Sequence, residues 1–312
     1  MTEQAKCGDP GWYYRLSSFF KEIFRRPVYK IPLHSGFSCP NRDGTISRGG
    51  CSFCYNPSFS PYIKGDNLFT IEEQLRRGKK KQKEAFYLAY FQSYTNTYAP
   101  LEQLNELYGR ALADPEVVGL SIATRPDCIP DEILALLETY ARRCHLWLEY
   151  GLQSAHDRTL KMINRGHDAA AFTDAITRTK GRGIYTCAHV ILGLPGETRK
   201  MMLETIRFLN KLEVEGIKFH HLQVIKNTPL ADEYAREGVK VFENAAAYID
   251  VLCDCLEELS PKIVVQRLAG QATSKELLVA PHWPESSGQI AALVTEELRQ
   301  RKTWQGSARQ CR

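Results

Sequence analysis

The chain has 312 residues, 43% of them hydrophobic and 25% charged, and a formal net charge of +5. That is enough for one large α/β domain or two small ones with a substantial core, and the mild basic lean favours anionic partners. No apolar run is long enough to span a bilayer, and residues 1–6 lack the apolar stretch of a secretion signal, so no membrane partner is expected and the expected compartment is the cytoplasm. Ten cysteines in a long chain without such a signal point to metal ligation rather than a disulfide framework.

Residues 28–34 read as a strand that leads into a cysteine-rich loop. A helix is predicted over 71–77 with Thr70 as its N-cap, then a strand over 85–91 and a helix over 100–112. A third strand spans 117–123, and the helix over 130–140 carries Pro130 and Asp131 in its first turn. A fourth strand follows over 145–152, with helical stretches over 156–163 and 169–180. The fifth strand covers 185–192, a turn falls at 193–196, a helix spans 198–212, and a sixth strand covers 217–225. Alternating strands and helices predict a parallel sheet with right-handed crossovers and helices packed outside. Such a series forms a complete or partial barrel, or an open doubly wound sheet, and either places its active site at the carboxyl ends of the strands. The cysteine loop follows the first strand, so it falls on that end.

Beyond residue 225 the rhythm changes. A short helix end is predicted at 234–238, a longer helix over 245–259 stopped by Ser260 and Pro261, and a further strand over 263–268. An apolar stretch broken by prolines spans 277–283, and a terminal helix spans 289–302. The resulting division is an N-terminal segment (1–27), a core (28–230) and a C-terminal α/β extension packed on that core (231–312).

The chemistry is concentrated in Cys39, Cys51 and Cys54, spaced C-x11-C-x2-C. Pro40, Asn41, Asp43, Gly44, Gly49 and Gly50 are turn formers that let this loop fold tightly. Two readings stay open on spacing alone. One is a zinc site closed by a distant fourth ligand such as His34 or another cysteine; the other is a cubane cluster with one iron left free. Aromatic Phe53 and Tyr55 beside the last cysteine favour a shielded cluster. Cys253 and Cys255, two apart on a helix, face different ways, while Cys128, Cys144 and Cys187 read as structural thiols. The basic run 76–83 suits nucleic-acid phosphates, or equally a solvated helix end. His34, His189, His220 and His221 read as core histidines, and Lys218 and Lys226 flank the sixth strand near the expected substrate entry.

Three cysteines after the first strand of a βα series resemble the signature of the radical S-adenosylmethionine (SAM) enzymes, although their usual first gap is three residues and not eleven. The longer gap resembles the branch that includes the catalytic subunit of Elongator and the bacterial YhcC-type or YtqA-type proteins. Further strings carry the resemblance: Gly36 to Thr45, Tyr90 to Pro100, Thr124 to Cys128, Glu149 to Ser154, Ile163 to Asp168, His189 to Glu197 and Thr303 to Gly306.

The resemblance implies a partial (β/α)6 TIM-like barrel and a [4Fe-4S] cluster on the three cysteines. Its open iron binds SAM, and an electron from the reduced cluster cleaves SAM to methionine and a 5′-deoxyadenosyl radical. It also implies positions for SAM. Gly193 and Gly196 would pass the adenosyl group, the alternative being a plain tight turn. Glu149 and Gln153 would bond the ribose or the methionine part, the alternative for Glu149 being a salt bridge within the barrel. Arg165 would pair with the SAM carboxylate, or cap a helix. The family's Gly-Gly-Glu is replaced here by Phe91 to Thr95, so Gln92 and Thr95 are the candidate SAM amine contacts. Arg125 and Asp127 sit at the end of the third strand.

The implied substrate is a tRNA wobble uridine, with 5-carboxymethylaminomethyl-uridine converted to its aminomethyl form. A flavodoxin or ferredoxin is the implied electron donor. Rival readings are a radical SAM enzyme acting on a small molecule such as a porphyrin precursor, and a non-enzymatic zinc or iron-sulfur protein.

Overall fold

The computed structural model describes residues 11–58, 69–79, 84–270 and 275–309. Seven parallel strands form the main sheet: β1 (Val28–Leu33), β2 (Phe86–Phe91), β3 (Val117–Thr124), β4 (His145–Gln153), β5 (Tyr185–Leu192), β6 (Gly216–His221) and β8 (Val264–Arg267). They lie side by side in chain order. A two-stranded antiparallel ribbon joins β7 (Val224–Ile225) to β9 (Leu278–Ala280).

The sheet is curled. Laid flat, its outer strands would be about 29 Å apart at the usual strand spacing. Yet Lys30 on β1 reaches Gln266 on β8 at 2.6 Å and Glu149 on the central β4 at 2.5 Å. Only a sheet rolled into a partial barrel brings three such strands within the length of one lysine.

The helices are α1 (Leu16–Phe24), α2 (Pro40–Asp43), α3 (Ile71–Gly78), α4 (Leu101–Leu112), α5 (Asp131–Ala141), α6 (Asp157–Met162), α7 (Ala169–Thr179), α8 (Arg199–Leu212), α9 (Pro229–Glu237), α10 (Ala245–Glu258) and α11 (Ser287–Arg301). Those outside the barrel bury one stripe each, such as Leu104, Tyr108 and Ala111 of α4 and Ile133, Leu134 and Leu137 of α5. Side-chain caps at Thr70, Asp168, Thr198 and Asn244 set where several of them begin.

Three differences from the sequence expectation matter. The C-terminal extension supplies β8, a seventh parallel strand beyond the six expected, and Val265 of β8 donates in turn to the Tyr14 carbonyl at 2.8 Å. The stretch read as one strand over 217–225 breaks after His221, where Val224 and Ile225 leave the main sheet to pair with Ala280 and Leu278. Leu222 and Val224 there join a separate cluster with Leu160, Ile163, Leu194 and Leu230. Finally, residues 16–24, for which the sequence predicts no element, form α1. Its Phe19 and Phe20 close the amino end of the barrel against Leu88, Trp147, Cys187 and Val264.

Candidate active site

The long gap between Cys39 and Cys51 is short in space because the loop folds back on itself. Cys39 is the extended N-cap of α2, and its carbonyl accepts from the Arg42 and Asp43 amides at 2.7 and 3.2 Å. Asp43 then bridges to Arg48, and the Gly50 amide donates to the Asn41 carbonyl at 2.8 Å. A tight turn, Cys54 N to Cys51 O at 3.0 Å, sets the last two cysteines together.

The linker between α6 and α7 clamps this loop. Asn41 Nδ2 donates to the Asn164 carbonyl at 2.7 Å, Asn164 Nδ2 to the Gly50 carbonyl at 2.8 Å, and the Ser52 amide to the Ile163 carbonyl at 2.9 Å. Gly166 is required here. Its φ is +77°, and a Cβ would lie 2.5 Å from Asn41 Oδ1.

All three cysteines line one cavity of about 600 Å³ at the carboxyl ends of the strands. A larger recess of about 810 Å³ lies beside the loop, but none of the three lines it, so the chemistry belongs to the smaller cavity. Burial, with the neighbouring Cys51, pushes the Cys54 thiol up to about 11. Donors point at the sulfurs: Asn41 Nδ2 and Arg165 Nη1 lie 3.5 and 3.6 Å from Cys51 Sγ, and Asn56 Nδ2 lies 3.8 Å from Cys54 Sγ. Such donors suit cluster thiolates, whose charge they offset. Among the described residues no three His, Cys, Asp or Glu side chains converge as they would around a single ion. His34, the candidate fourth zinc ligand, does not line the cavity, and its Nδ1 is buried without a partner. The donor set therefore fits a cluster facing a shared cavity better than a lone zinc.

Gln92, Thr95, Glu149, Gln153 and Arg165 line the same cavity. Thr95 Oγ1 is buried with no partner, an orphaned hydroxyl on the wall where a ligand is expected. Gln153 ends β4 in the left-handed region at φ 78°, beside a bulge in the pairing with β5. Arg165 gives two donors to the Gly151 carbonyl, at 3.2 and 2.6 Å, and a third to Cys51. Its side chain thereby ties the end of β4 to the cysteine loop, while its backbone amide donates to the Leu160 carbonyl at 2.9 Å and closes the C-terminal end of α6. Arg125 and Asp127 form a two-point ion pair at 2.8 and 2.7 Å. Gly193 and Gly196 do not line the cavity. Their turn closes on itself through Glu197 N to Leu194 O at 3.0 Å, and the Gly193 amide faces Met202 Sδ.

The structure engages Glu149 within the barrel. Its carboxylate is fully buried and accepts from Lys30 and Ser121 on one oxygen and from His189, at 2.8 Å, and Lys218 on the other. The two lysines hold it well below the usual carboxylate range despite burial, which acts the other way. Lys30, His189, Lys218, Tyr90 and Arg267 thus belong to the site floor, and of these only Lys218 had been connected with substrate from sequence. The available signal was a charged residue inside an otherwise apolar strand, as in Val28–Leu33. It shows where a charge is buried but not which other charge it meets.

A curled parallel sheet with three cysteines on the loop after its first strand, facing a cavity at the carboxyl ends, defines the radical SAM class. The family comparison agrees: the Radical SAM superfamily matches residues 42–209, more than half the chain, and the Radical_SAM C-terminal domain matches residues 214–300. The chain belongs to the radical SAM superfamily and is a radical SAM enzyme; members use a [4Fe-4S] cluster and SAM. It is 39% identical over 297 residues to the uncharacterized protein YtqA of Bacillus subtilis, covering 94% of this chain and 92% of that one. It is equally 39% identical over 265 residues to protein YhcC of Escherichia coli, covering 84% of each.

Partial matches include a putative methylthiotransferase of Methanocaldococcus jannaschii (24% identity, 59% of this chain, 41% of the other). They also include the tRNA uridine(34) acetyltransferase of Methanocaldococcus infernus (28% identity, 47% and 29%). The fold is similar to archaeal M. infernus Elp3 with an N-terminal deletion, at a TM-score of 0.66 and 17% identity. That alignment covers 90% of this chain and 64% of Elp3.

Proposed function

We propose that this enzyme modifies the side chain of a tRNA wobble uridine, converting 5-carboxymethylaminomethyl-uridine to aminomethyl-uridine. The observation that carries the reading is the cavity itself. It holds the three cysteines at one side and a positively charged floor at the other, within a fold that covers nine-tenths of the chain's length in common with Elp3. The partial match to an enzyme named for tRNA uridine 34 supports the same substrate class.

The [4Fe-4S] cluster and SAM, when bound, would supply one-electron cleavage of SAM to methionine and a 5′-deoxyadenosyl radical, which would abstract hydrogen from the carbon joining the carboxylate to the amine; with SAM as net oxidant and water hydrolysing the oxidised C–N bond, the carboxymethyl group would leave as glyoxylate. Cys39, Cys51 and Cys54 hold the cluster, while Asn41 and Arg165 donate towards Cys51. We assign Gln92, Thr95 and Gln153 to SAM because they face the same cavity, and Thr95 brings a hydroxyl with no protein partner. The Glu149 network fills the floor beneath the cavity with buried, mutually paired side chains. A flavodoxin or ferredoxin is the proposed electron source and the cytoplasm the proposed compartment. No helix among the described residues is long and apolar enough to cross a membrane.

Of the basic run, Arg76 and Arg77 pair with Glu73 and Lys79 pairs with Asp114 and Glu116; residues 80–83 lie outside the described residues. The run therefore adds little weight to the tRNA reading. Mass spectrometry of tRNA nucleosides from cells with and without the protein is the direct test. Accumulation of the carboxymethylaminomethyl form on deletion is expected, and an unchanged nucleoside profile removes the proposed substrate.

A further inference from the structure

The floor of the cavity carries more positive charge than its own carboxylate balances. Glu149 is the one carboxylate on the cavity wall among the described residues, and Lys30 and Lys218 already share it. Three of the four arginines on that wall are engaged. Arg42 donates to the Cys54 carbonyl, Arg125 pairs with Asp127, and Arg165 bonds Gly151 and Cys51. Arg267 is the fourth, and its side chain has no hydrogen-bond or ion-pair partner among the described residues.

Its position results from a local irregularity. β8 pairs with β6 as Ile217 with Val265 and then Lys218 with Arg267, so Gln266 is the extra residue of a bulge. A bulge of this kind re-aims side chains. Here Gln266 turns inward to meet Lys30 at 2.6 Å, and Arg267 faces the cavity as well. Without the bulge, neighbours on a strand would point to opposite faces.

His220 stands next to it. The His220 Nε2 is enclosed and has no partner, and Gly270 lets the ring fit, since a Cβ there would lie 2.5 Å from His220 Nδ1. Burial holds this imidazole neutral, and Arg267 acts in the same direction. In its Nε2–H tautomer the ring has one donor to give. Lys218 also registers the excess: burial, helped by Lys30 and Arg267, outweighs Glu149 and pushes its ammonium down to about 7. A half-buried guanidinium with no side-chain partner, beside an enclosed imidazole nitrogen that also lacks one, leaves donors on the cavity wall for a ligand to complete.

We propose that Arg267 and His220 form a carboxylate-binding subsite for the substrate, the guanidinium gripping both oxygens and the imidazole donating to one. The inference deepens the wobble-uridine reading, and rests on it for the choice of uridine as the first probe. A carboxymethyl group on that substrate would be the part that Arg267 reads.

The test uses the cluster-loaded protein with SAM under anaerobic conditions and measures equilibrium binding of two probe pairs. The first pair is 5-carboxymethylaminomethyl-uridine against 5-aminomethyl-uridine. The second, N-benzylglycine against benzylamine, carries the same difference on a ring that is not a nucleotide. Wild-type protein should favour the carboxylate member by about tenfold or more. Arg267→Gln should bring the ratio close to one, and Arg267→Lys should keep part of it.

A ratio unchanged in Arg267→Gln overturns the subsite, as does the absence of discrimination in both pairs with wild-type protein. If SAM affinity falls by the same factor as carboxylate affinity in Arg267→Gln, the anion held is SAM's own carboxylate and the inference fails. If only the benzyl pair discriminates, the subsite stands and the wobble-uridine reading falls.

Discussion

The two ends of the barrel interior are built from the same strands, one step of the pleat apart. At the amino end, Leu88, Trp147, Cys187 and Val264 meet Phe19 and Phe20 of α1 in a dry cluster. Two residues further along the same strands, Tyr90, Glu149 and His189 form a polar layer under the cavity. Lys218 occupies the matching place on β6, two residues beyond Gly216. The contrast shows a division of labour. Burying a charge layer brings little net stability, because desolvation offsets most of the Coulomb gain. The aromatic end has to supply it, and the polar end is free to be arranged for chemistry.

The largest expected effect lies at the polar end. Cys51→Ala should abolish both iron-sulfur absorbance and 5′-deoxyadenosine formation while circular dichroism stays that of the wild type. Continued SAM cleavage would show that the ligand assignment is wrong. Next come two substitutions on one strand that set the ends against each other. Trp147→Ala should lower stability by about 3–5 kcal/mol and leave cluster assembly intact. Glu149→Gln should cost a similar amount, about 3–5 kcal/mol, by leaving Lys30 and Lys218 buried without their carboxylate. Adding Lys218→Met should restore part of that loss. Denaturant titration of all three variants reads the effects, and a Glu149→Gln protein as stable as wild type would mean that the network is solvated.

A smaller effect concerns acid. His145 lies against Phe19, Phe20 and Trp147 with Nε2 buried and unpartnered, and burial pushes it down to about 4. The unfolded chain holds this proton below about pH 6.5, the folded one only near 4. Between those values the unfolded state binds more protons, so stability falls as pH falls, by up to about 3 kcal/mol from this ring. His145→Phe should flatten the decline between pH 6.5 and 4.5, and an identical decline in the variant would place the acid sensitivity elsewhere. The smallest effect is at the surface. Arg76→Ala removes only an exposed pair with Glu73, and no measurable change in melting temperature is expected. A clear drop would give the basic run a structural role.

Much of the fold was legible because its signals are local. Strands β2 to β5 read as short apolar runs between capped helices, and the cysteine loop declared itself by spacing and turn residues. What escaped depended on partners far away in the chain. The nine residues of α1 are amphipathic, but the sequence does not show that their phenylalanines fill the end of a barrel. The break after His221 required Ala280 and Leu278 as alternative partners for β7. Among the site residues, Thr95, Gln153 and Arg165 were named from a family resemblance and do line the cavity, whereas Gly193 and Gly196 do not.

By itself, the sequence determined the alternation of strands and helices, the three cysteines at the carboxyl ends and the superfamily. All of these depend on residue type and spacing along a short stretch of chain. Only the tertiary structure decided which charges meet. Lys30, Glu149 and Gln266 lie more than a hundred residues apart, and they converge because each strand's parity points inward and the sheet curls. The bulge that turns Arg267 to the cavity is a property of the pairing between β6 and β8, so no single strand could announce it.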